Sequence, residues 1–422
     1  MRHPQLKKFV APVLVSSLAL AGSLSAQDSS GARELIGSYG SFSQAALKSA
    51  ALESFGEGFS DEEQLEGSAL DYFKFGVNVR AEYNDNIFLT DTATVDDVIL
   101  RVSVPLELSN SPTAENQWSL TYVPKFNFYM DNSDQDGIDH HVDAGYSRQF
   151  AKTSLDFGIG YNKTKGPSRF AGGNIEKDGF TGKLALSHVL TGKSRLDFDL
   201  GGLTEDFVDP ALFDRERYNT RLAWQYQATG KVTVGPYIAY EHVSVDVNPN
   251  HEAYSAGAKA TYQALQKTVV TGYVGVEHRT FSGGSLEDKT TPTYEIGATH
   301  QYSGKTSFTG MLYHNIRASY SDAGKSYTAT GVNFLARYAY SSRINFNSGV
   351  SYEHDNYFDV DSSTAAAGDL DYDYVTFYLG GDYVMDNGFI LGSGIRLSNN
   401  NSGVNTRDFD NVIFNVNATY NF

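Results

Sequence analysis

Four pairs of residues repeat one unit, an acid beside an aromatic or imidazole ring: Glu82-Tyr83, Glu241-His242, Glu277-His278 and Glu353-His354. On an extended chain, neighbouring side chains face opposite ways, so the four glutamates would share one face and the rings the other. Carboxylates gathered around a watery path favour cations. A second constellation is Asn132-Ser133-Asp134-Gln135-Asp136-Gly137. Oxygen donors at alternate positions with glycine at the sixth resemble the start of a calcium loop, with Asn132, Asp134 and Asp136 as candidate ligands. The pattern departs further on, with Asp139 at the eighth position and Asp143, not glutamate, at the twelfth. An ordinary acidic turn accounts for the same residues without a metal. A third group, His140-His141 with Asp139 and Asp143, has residue types that ligate metals and move protons. Adjacent histidines on a strand point apart, however, and do not easily share one ion. Neither a Gly-x-Ser-x-Gly elbow nor a His-Glu-x-x-His helix is present. The sequence therefore argues against an enzyme, and bound calcium is the one cofactor it suggests.

The elements that must position these residues are strands. From Tyr72 onward, apolar and polar residues alternate. Phe73, Phe75, Val77, Val79, Ala81 and Tyr83 share one face of the first strand, and Lys74, Asn78, Arg80 and Glu82 the other. The same rhythm recurs through the chain and ends on Asn411 to Phe422, where Val412, Phe414, Val416, Ala418, Tyr420 and Phe422 alternate with polar partners. The count is about 18 strands, with 16 as the alternative. Pro124 marks a bulge or bend in the third. The connections sort by length. One set is short and often basic: Ala151-Lys152-Thr153, Thr191-Gly192-Lys193, Ala228 to Lys231, Leu265-Gln266-Lys267, Ser303-Gly304-Lys305 and Ser341-Ser342-Arg343. The other set is long and polar, including Asp131 to His140, Thr164 to Gly179, Thr204 to Asp214, Ser244 to Glu252, Arg279 to Pro292 and Asp355 to Tyr372. Amphipathic strands with sorted connections predict an all-β fold: a transmembrane antiparallel up-and-down β-barrel with short periplasmic turns and long outer loops. Closure is required because lipid cannot satisfy open-edge backbone groups.

With the apolar face toward lipid, the opposite face gives the pore-lining candidates: Lys74, Arg80, Glu82, Arg101, Lys125, Arg221, Glu241, Glu277, Arg337, Glu353 and Arg396. These charges either set ion preference or pair with one another to hold the wall. The same assignment sends most aromatics outward. The last strand should pair with the first, and its apolar residues Ala418, Tyr420 and Phe422 are candidates for the signal read by the barrel assembly machinery.

Composition agrees with a membrane barrel. The chain holds 28 Tyr and 26 Phe, yet its mean hydropathy is −0.36, as expected when half of each strand meets lipid and half meets water. There is no cysteine, and the formal net charge is −17, which excludes nucleic acid as a natural partner. Residues 1–26 read as a signal peptide, with Arg2, Lys7 and Lys8 before an apolar run and Ala26 at the cleavage site. Residues 27–70 lack alternation and read as a flexible or partly helical periplasmic segment, leaving 71–422 for the barrel.

Tyr83-Asn84-Asp85-Asn86-Ile87-Phe88 resembles a signature near the start of a family of outer-membrane β-barrel porins, which includes barrels of exopolysaccharide-synthesis loci. The resemblance implies a cell outer-membrane channel or export pore. Physically, the Asn/Asp cluster would end a strand and shape the first outer loop through side-chain to backbone hydrogen bonds, with Ile87 and Phe88 folding back onto the rim. The leading expectation is a passive pore for ions or small hydrophilic solutes. Export or anchoring of a polysaccharide is one alternative, and a structural or adhesion barrel with a closed lumen is another. No oligomer interface is legible.

Overall fold

The computed structural model describes residues 72–110, 115–246, 250–282, 287–321, 326–358, 371–402 and 407–422. The expected signal peptide and the segment 27–70 lie outside the described residues. The strands are β1 (Phe73–Asn84), β2 (Asp97–Ser103), β3 (Leu106–Ser109), β4 (Asn116–Tyr129), β5 (Gly137–Gln149), β6 (Thr153–Ser168) and β7 (Gly173–Thr191). Next come β8 (Ser194–Phe207), β9 (Arg215–Gln227), β10 (Val232–Val245), β11 (Asn250–Leu265), β12 (Thr268–Ser282) and β13 (Lys289–Gln301). The last are β14 (Thr306–Ala318), β15 (Ser326–Ala339), β16 (Ile344–Phe358), β17 (Asp371–Val384), β18 (Phe389–Ser402) and β19 (Phe409–Asn421).

Segments β2 and β3 are one interrupted strand, because both pair with β1 on one side and β4 on the other. The break is Val104-Pro105. Proline has no N–H to give the ladder, yet hydrogen bonding bridges the gap: Gly76 N–H donates to Pro105 O and Val104 N–H to Pro124 O. Nineteen segments less this one join leave 18 crossings. This is the leading count expected from the alternation. All neighbours are antiparallel, and β1 closes on β19 from Gly76↔Asn421 to Asn84↔Ile413.

The exterior suits a bilayer. Outward residues such as Ile238, Val274, Val276 and Phe414 are half or more exposed, while the intervening residues are buried or half-buried. Such exposure of large apolar side chains is stable only where lipid covers them.

Two readings of the connections need correction. The long loops are much shorter than the pattern suggested, because the strands run on past the apolar band: Thr164 to Gly179 is mostly strand, turning over only four residues between Ser168 and Gly173. Likewise Asp355-Asn356-Tyr357-Phe358 belongs to β16 and not to the connection after it. Above the lipid both faces of a strand meet water, so the hydrophobic alternation fades while the hydrogen-bond ladder continues. A set of tyrosines makes the exception to the mostly outward aromatics: Tyr237, Tyr273, Tyr313, Tyr327, Tyr357 and Tyr372 are buried on the inner wall. Glycines on neighbouring strands make room for some of them. A methyl group on Gly331 would stand 2.2 Å from Tyr313, and one on Gly275 would stand 2.5 Å from the Tyr237 hydroxyl.

Candidate functional site: a latched mouth

The sharp turn after β6 carries Arg169, Phe170, Ala171 and Gly172. Gly172 takes a φ of 64°, which glycine tolerates, and its N–H donates to Ser168 O at 2.9 Å. This turn does not stay on its own side. In the ring of 18 strands, β16 lies about opposite the β6–β7 hairpin, and the turn reaches it. The Arg169 guanidinium binds the Glu353 carboxylate and, at 3.1 Å, that of Asp355. Arg169 also lies over Phe170 at 4.3 Å and Tyr374 at 4.7 Å. Phe170 enters an apolar cluster with Tyr320, Tyr327, Tyr357 and Tyr372. Ser168 Oγ meets Tyr320 Oη at 2.9 Å. The turn thus spans the mouth and is held by ion pairs, aromatic packing and a hydroxyl contact.

Two neighbouring groups extend the latch. Glu353 also accepts from Arg317 at 3.0 Å and from the Tyr313 hydroxyl. Glu205 binds Lys177 at 2.6 Å and Arg215, whose guanidinium reaches Ala318 O at 3.2 Å. Arg279 bridges Glu241 at 2.8 Å and Glu277 at 2.9 Å, and lies 3.1 Å from His251 Nε2.

The four glutamates read as an acidic ring are therefore members of ion pairs. Glu82 binds Arg101 at 2.9 Å, Glu241 and Glu277 share Arg279, and Glu353 holds Arg169 and Arg317. Charges this closely paired cancel at a distance, so the ring as a whole presents little net field. The other pore-lining candidates divide. Arg80, Lys125, Arg221 and Arg396 are buried, Arg337 is half-buried, and Lys74 is exposed. Lys125 stands 3.9 Å from Asp139, Arg221 lies over the Tyr273 ring at 4.0 Å, and Lys74 faces Glu107 in register.

The expected calcium ligands are each engaged with protein groups. Asp136 Oδ1 accepts Tyr129 N–H, Asp134 accepts from Gln135, and Asn132 gives its amide nitrogen to Asp97. Asp97 itself receives the N–H groups of Met130, Asp131 and Asn132. This is an acidic turn capped by its neighbour, and among the described residues no three His, Asp or Glu side chains cluster as ligands. His140 and His141 do point apart: His140 meets the Tyr122 hydroxyl and His141 meets Asp143.

Sequence reasoning missed Arg169, Phe170, Arg279, Arg317, Tyr320 and Asp355. A usable signal existed for three of them. Arg279, Arg317 and Asp355 each lie two residues beyond an inward Glu277, Asn315 or Glu353, on the same face, so extending the alternation would have found them. The turn residues had no such signal, since their partners lie across the lumen.

No family model matches the chain, and no curated protein matches it. Solved structures do. Pseudomonas aeruginosa OpdK with vanillate is 11% identical with a TM-score of 0.45, covering 84% of this chain and all (100%) of that one. Pseudomonas aeruginosa OccK2 (OpdF) in complex with glucuronate is 11% identical with a TM-score of 0.44, covering 85% of this chain and 100% of that one. The outer membrane protein OpdK from the same organism, in a further structure, is 10% identical with a TM-score of 0.44, covering 83% and 99%.

Proposed function

We propose that this chain is an outer-membrane channel for passive diffusion of small hydrophilic solutes, narrowed at its long-loop mouth by the Arg169–Phe170 turn. One observation carries the reading: a closed ring of 18 strands has an apolar outer face and an inner face crowded with Arg, Lys, Asp, Glu, Asn and Tyr. A wall of that kind solvates polar solutes and excludes lipid. The latch then sets the width. Solute choice follows from what fits beside it and from the polar groups around it.

The paired mouth carries five cations (Arg169, Lys177, Arg215, Arg279, Arg317) against five carboxylates (Glu205, Glu241, Glu277, Glu353, Asp355). Such balance supports weak charge preference over the cation preference that unpaired glutamates would give. A second reading, a path for polysaccharide, draws on one feature: Asn347, Tyr378, Asn415 and Asn417 line a small recess in the inner wall. Amides both donate and accept, which suits sugar hydroxyls.

The test is planar-bilayer recording with the purified full chain. Stable unitary conductance is expected. Arg169→Ala together with Phe170→Ala should raise it on the order of twofold by freeing the turn. Silence from both proteins, with folded barrel verified by heat-modifiable gel mobility, would sink the channel reading in favour of a closed structural barrel.

A further inference from the structure

Six consecutive hairpins place a cation at one structural position. Lys152, Lys193, Lys231, Lys267, Lys305 and Arg343 each immediately precede an upward strand, β6, β8, β10, β12, β14 and β16. In every case the backbone carbonyl of that residue accepts an N–H from the following strand, at 2.7–2.8 Å: from Val189, Gln227, Gln263, Gln301, Ala339 and Val384. A repeated backbone contact fixes the six at one height on the short-turn rim. Adjacent members are two strands apart, about 10 Å. All six are exposed. Lys305 donates to Tyr340 O and Arg343 pairs with Asp386. No ion pair among the described residues involves Lys152, Lys193, Lys231 or Lys267. In a chain of net charge −17, this is a concentrated positive arc.

Directly inside the arc, toward the apolar band, stand outward rings: Phe150, Trp224, Tyr226, Tyr262, Tyr302 and Tyr340, all exposed. Aromatic rings settle at the headgroup level of a bilayer. Cations one step beyond them reach the phosphates. The wide spacing suits a row of separate anions better than one compact ligand.

We infer that this rim docks the phosphate headgroups of anionic phospholipids in the adjoining leaflet. The inference rests on the membrane reading above and is independent of whether the lumen conducts.

Trp224 lies beside the arc, facing Leu196 in register on the strand that begins after Lys193, so it can report local lipid. The full chain carrying Trp118→Phe retains Trp224 as its one tryptophan. It is reconstituted with brominated phosphatidylglycerol or brominated phosphatidylcholine diluted into unlabelled phosphatidylcholine. Phosphatidylglycerol should occupy the quenching positions about fivefold more tightly, the factor to which about 1 kcal/mol per basic residue at an anionic surface corresponds. Lys152→Gln, Lys193→Gln and Lys231→Gln combined should remove the preference, as should about 0.5 M salt. These exposed turn changes leave the barrel intact, which heat-modifiable mobility checks. Equal quenching by both lipids overturns the inference, as does a preference that survives the triple substitution. A preference seen only after deleting residues 27–70 also overturns it, by assigning the arc to the chain's own acidic segment. Absence of quenching by both lipids removes the membrane reading and the inference together.

Discussion

Glu353 accepts from Arg169, Arg317 and Tyr313 while 6% exposed. A buried carboxylate of this kind is tolerated because its oxygens are filled, and its loss takes a buried counter-charge from two guanidinium groups at once. Glu353→Gln keeps the shape and removes the charge. It should destabilise the folded barrel by about 3–5 kcal/mol, the usual effect of breaking a buried pair from one side, as read by urea titration in detergent micelles. The same substitution tips the balanced mouth toward positive charge. Reversal potential in a salt gradient should therefore move toward anions, and an unchanged ratio would mean ions pass elsewhere than beside the latch. The inward phase of Glu353 was legible from alternation alone. Its neutralisation was not, because Arg169 is 184 positions away in the chain, and no local pattern reports a partner across a lumen.

At the scale of the element, the closing seam shows which motif residues act structurally. Asn84 Oδ1 accepts from Asn86 N–H and from Asn411 Nδ2. Asp85 accepts the Val412 N–H at 2.7 Å. Asn86 donates to Thr90 O and Asp410 O, while its own oxygen accepts Thr90 N–H. Ile87 seals this end by packing with Ile99 and Tyr129. The Asn/Asp run thus ends β1, shapes the loop and ties it to β19, which accounts for the motif without a transport role. At the other end, Phe422 stacks on Phe75 with centroids 4.3 Å apart, and its N–H donates to Phe75 O. Asn86→Ala removes three hydrogen bonds to the backbone of Thr90 and Asp410, each contributing about 0.5–1.5 kcal/mol, so the midpoint of heat-modifiable mobility should fall clearly. Asn411→Ala should fall with it less than additively, since both residues serve one tie. Additive losses would show that the two act apart. Deleting Phe422 removes the seam's terminal ring pair, and we expect less membrane-inserted barrel in cells; normal insertion would deny it an assembly role. The strands themselves were readable wherever lipid imposes a period of two. They became unreadable beyond the lipid and at Pro105, where the ladder persists without that constraint.

For the whole molecule, the barrel's outer surface is graded in charge as well as in polarity. At the long-loop end, outward tyrosines are tethered to carboxylates: Tyr161 to Asp178, Tyr254 to Glu252 and Tyr352 to Asp373, at 2.6–2.7 Å. At the short-turn end the aromatic belt is followed by cations instead. Between them runs the apolar band, and its two faces should respond oppositely to the same charge. Ile238 is 61% exposed near the middle of β10. Arginine there must enter hydrocarbon, at a cost of about 2–4 kcal/mol at the midplane. Its inward neighbour Ala239 stands opposite Arg221 in register and two residues from Glu241 on the polar inner wall, away from hydrocarbon. Ile238→Arg should therefore lower folding stability in lipid vesicles by that amount, while Ala239→Arg should alter conductance and cost less stability. The comparison turns on side alone, because the two positions are adjacent in sequence and depth. Equal destabilisation by both would mean that the interior is packed as tightly as a soluble core, and the lumen would then be closed along its length as well as latched at its mouth.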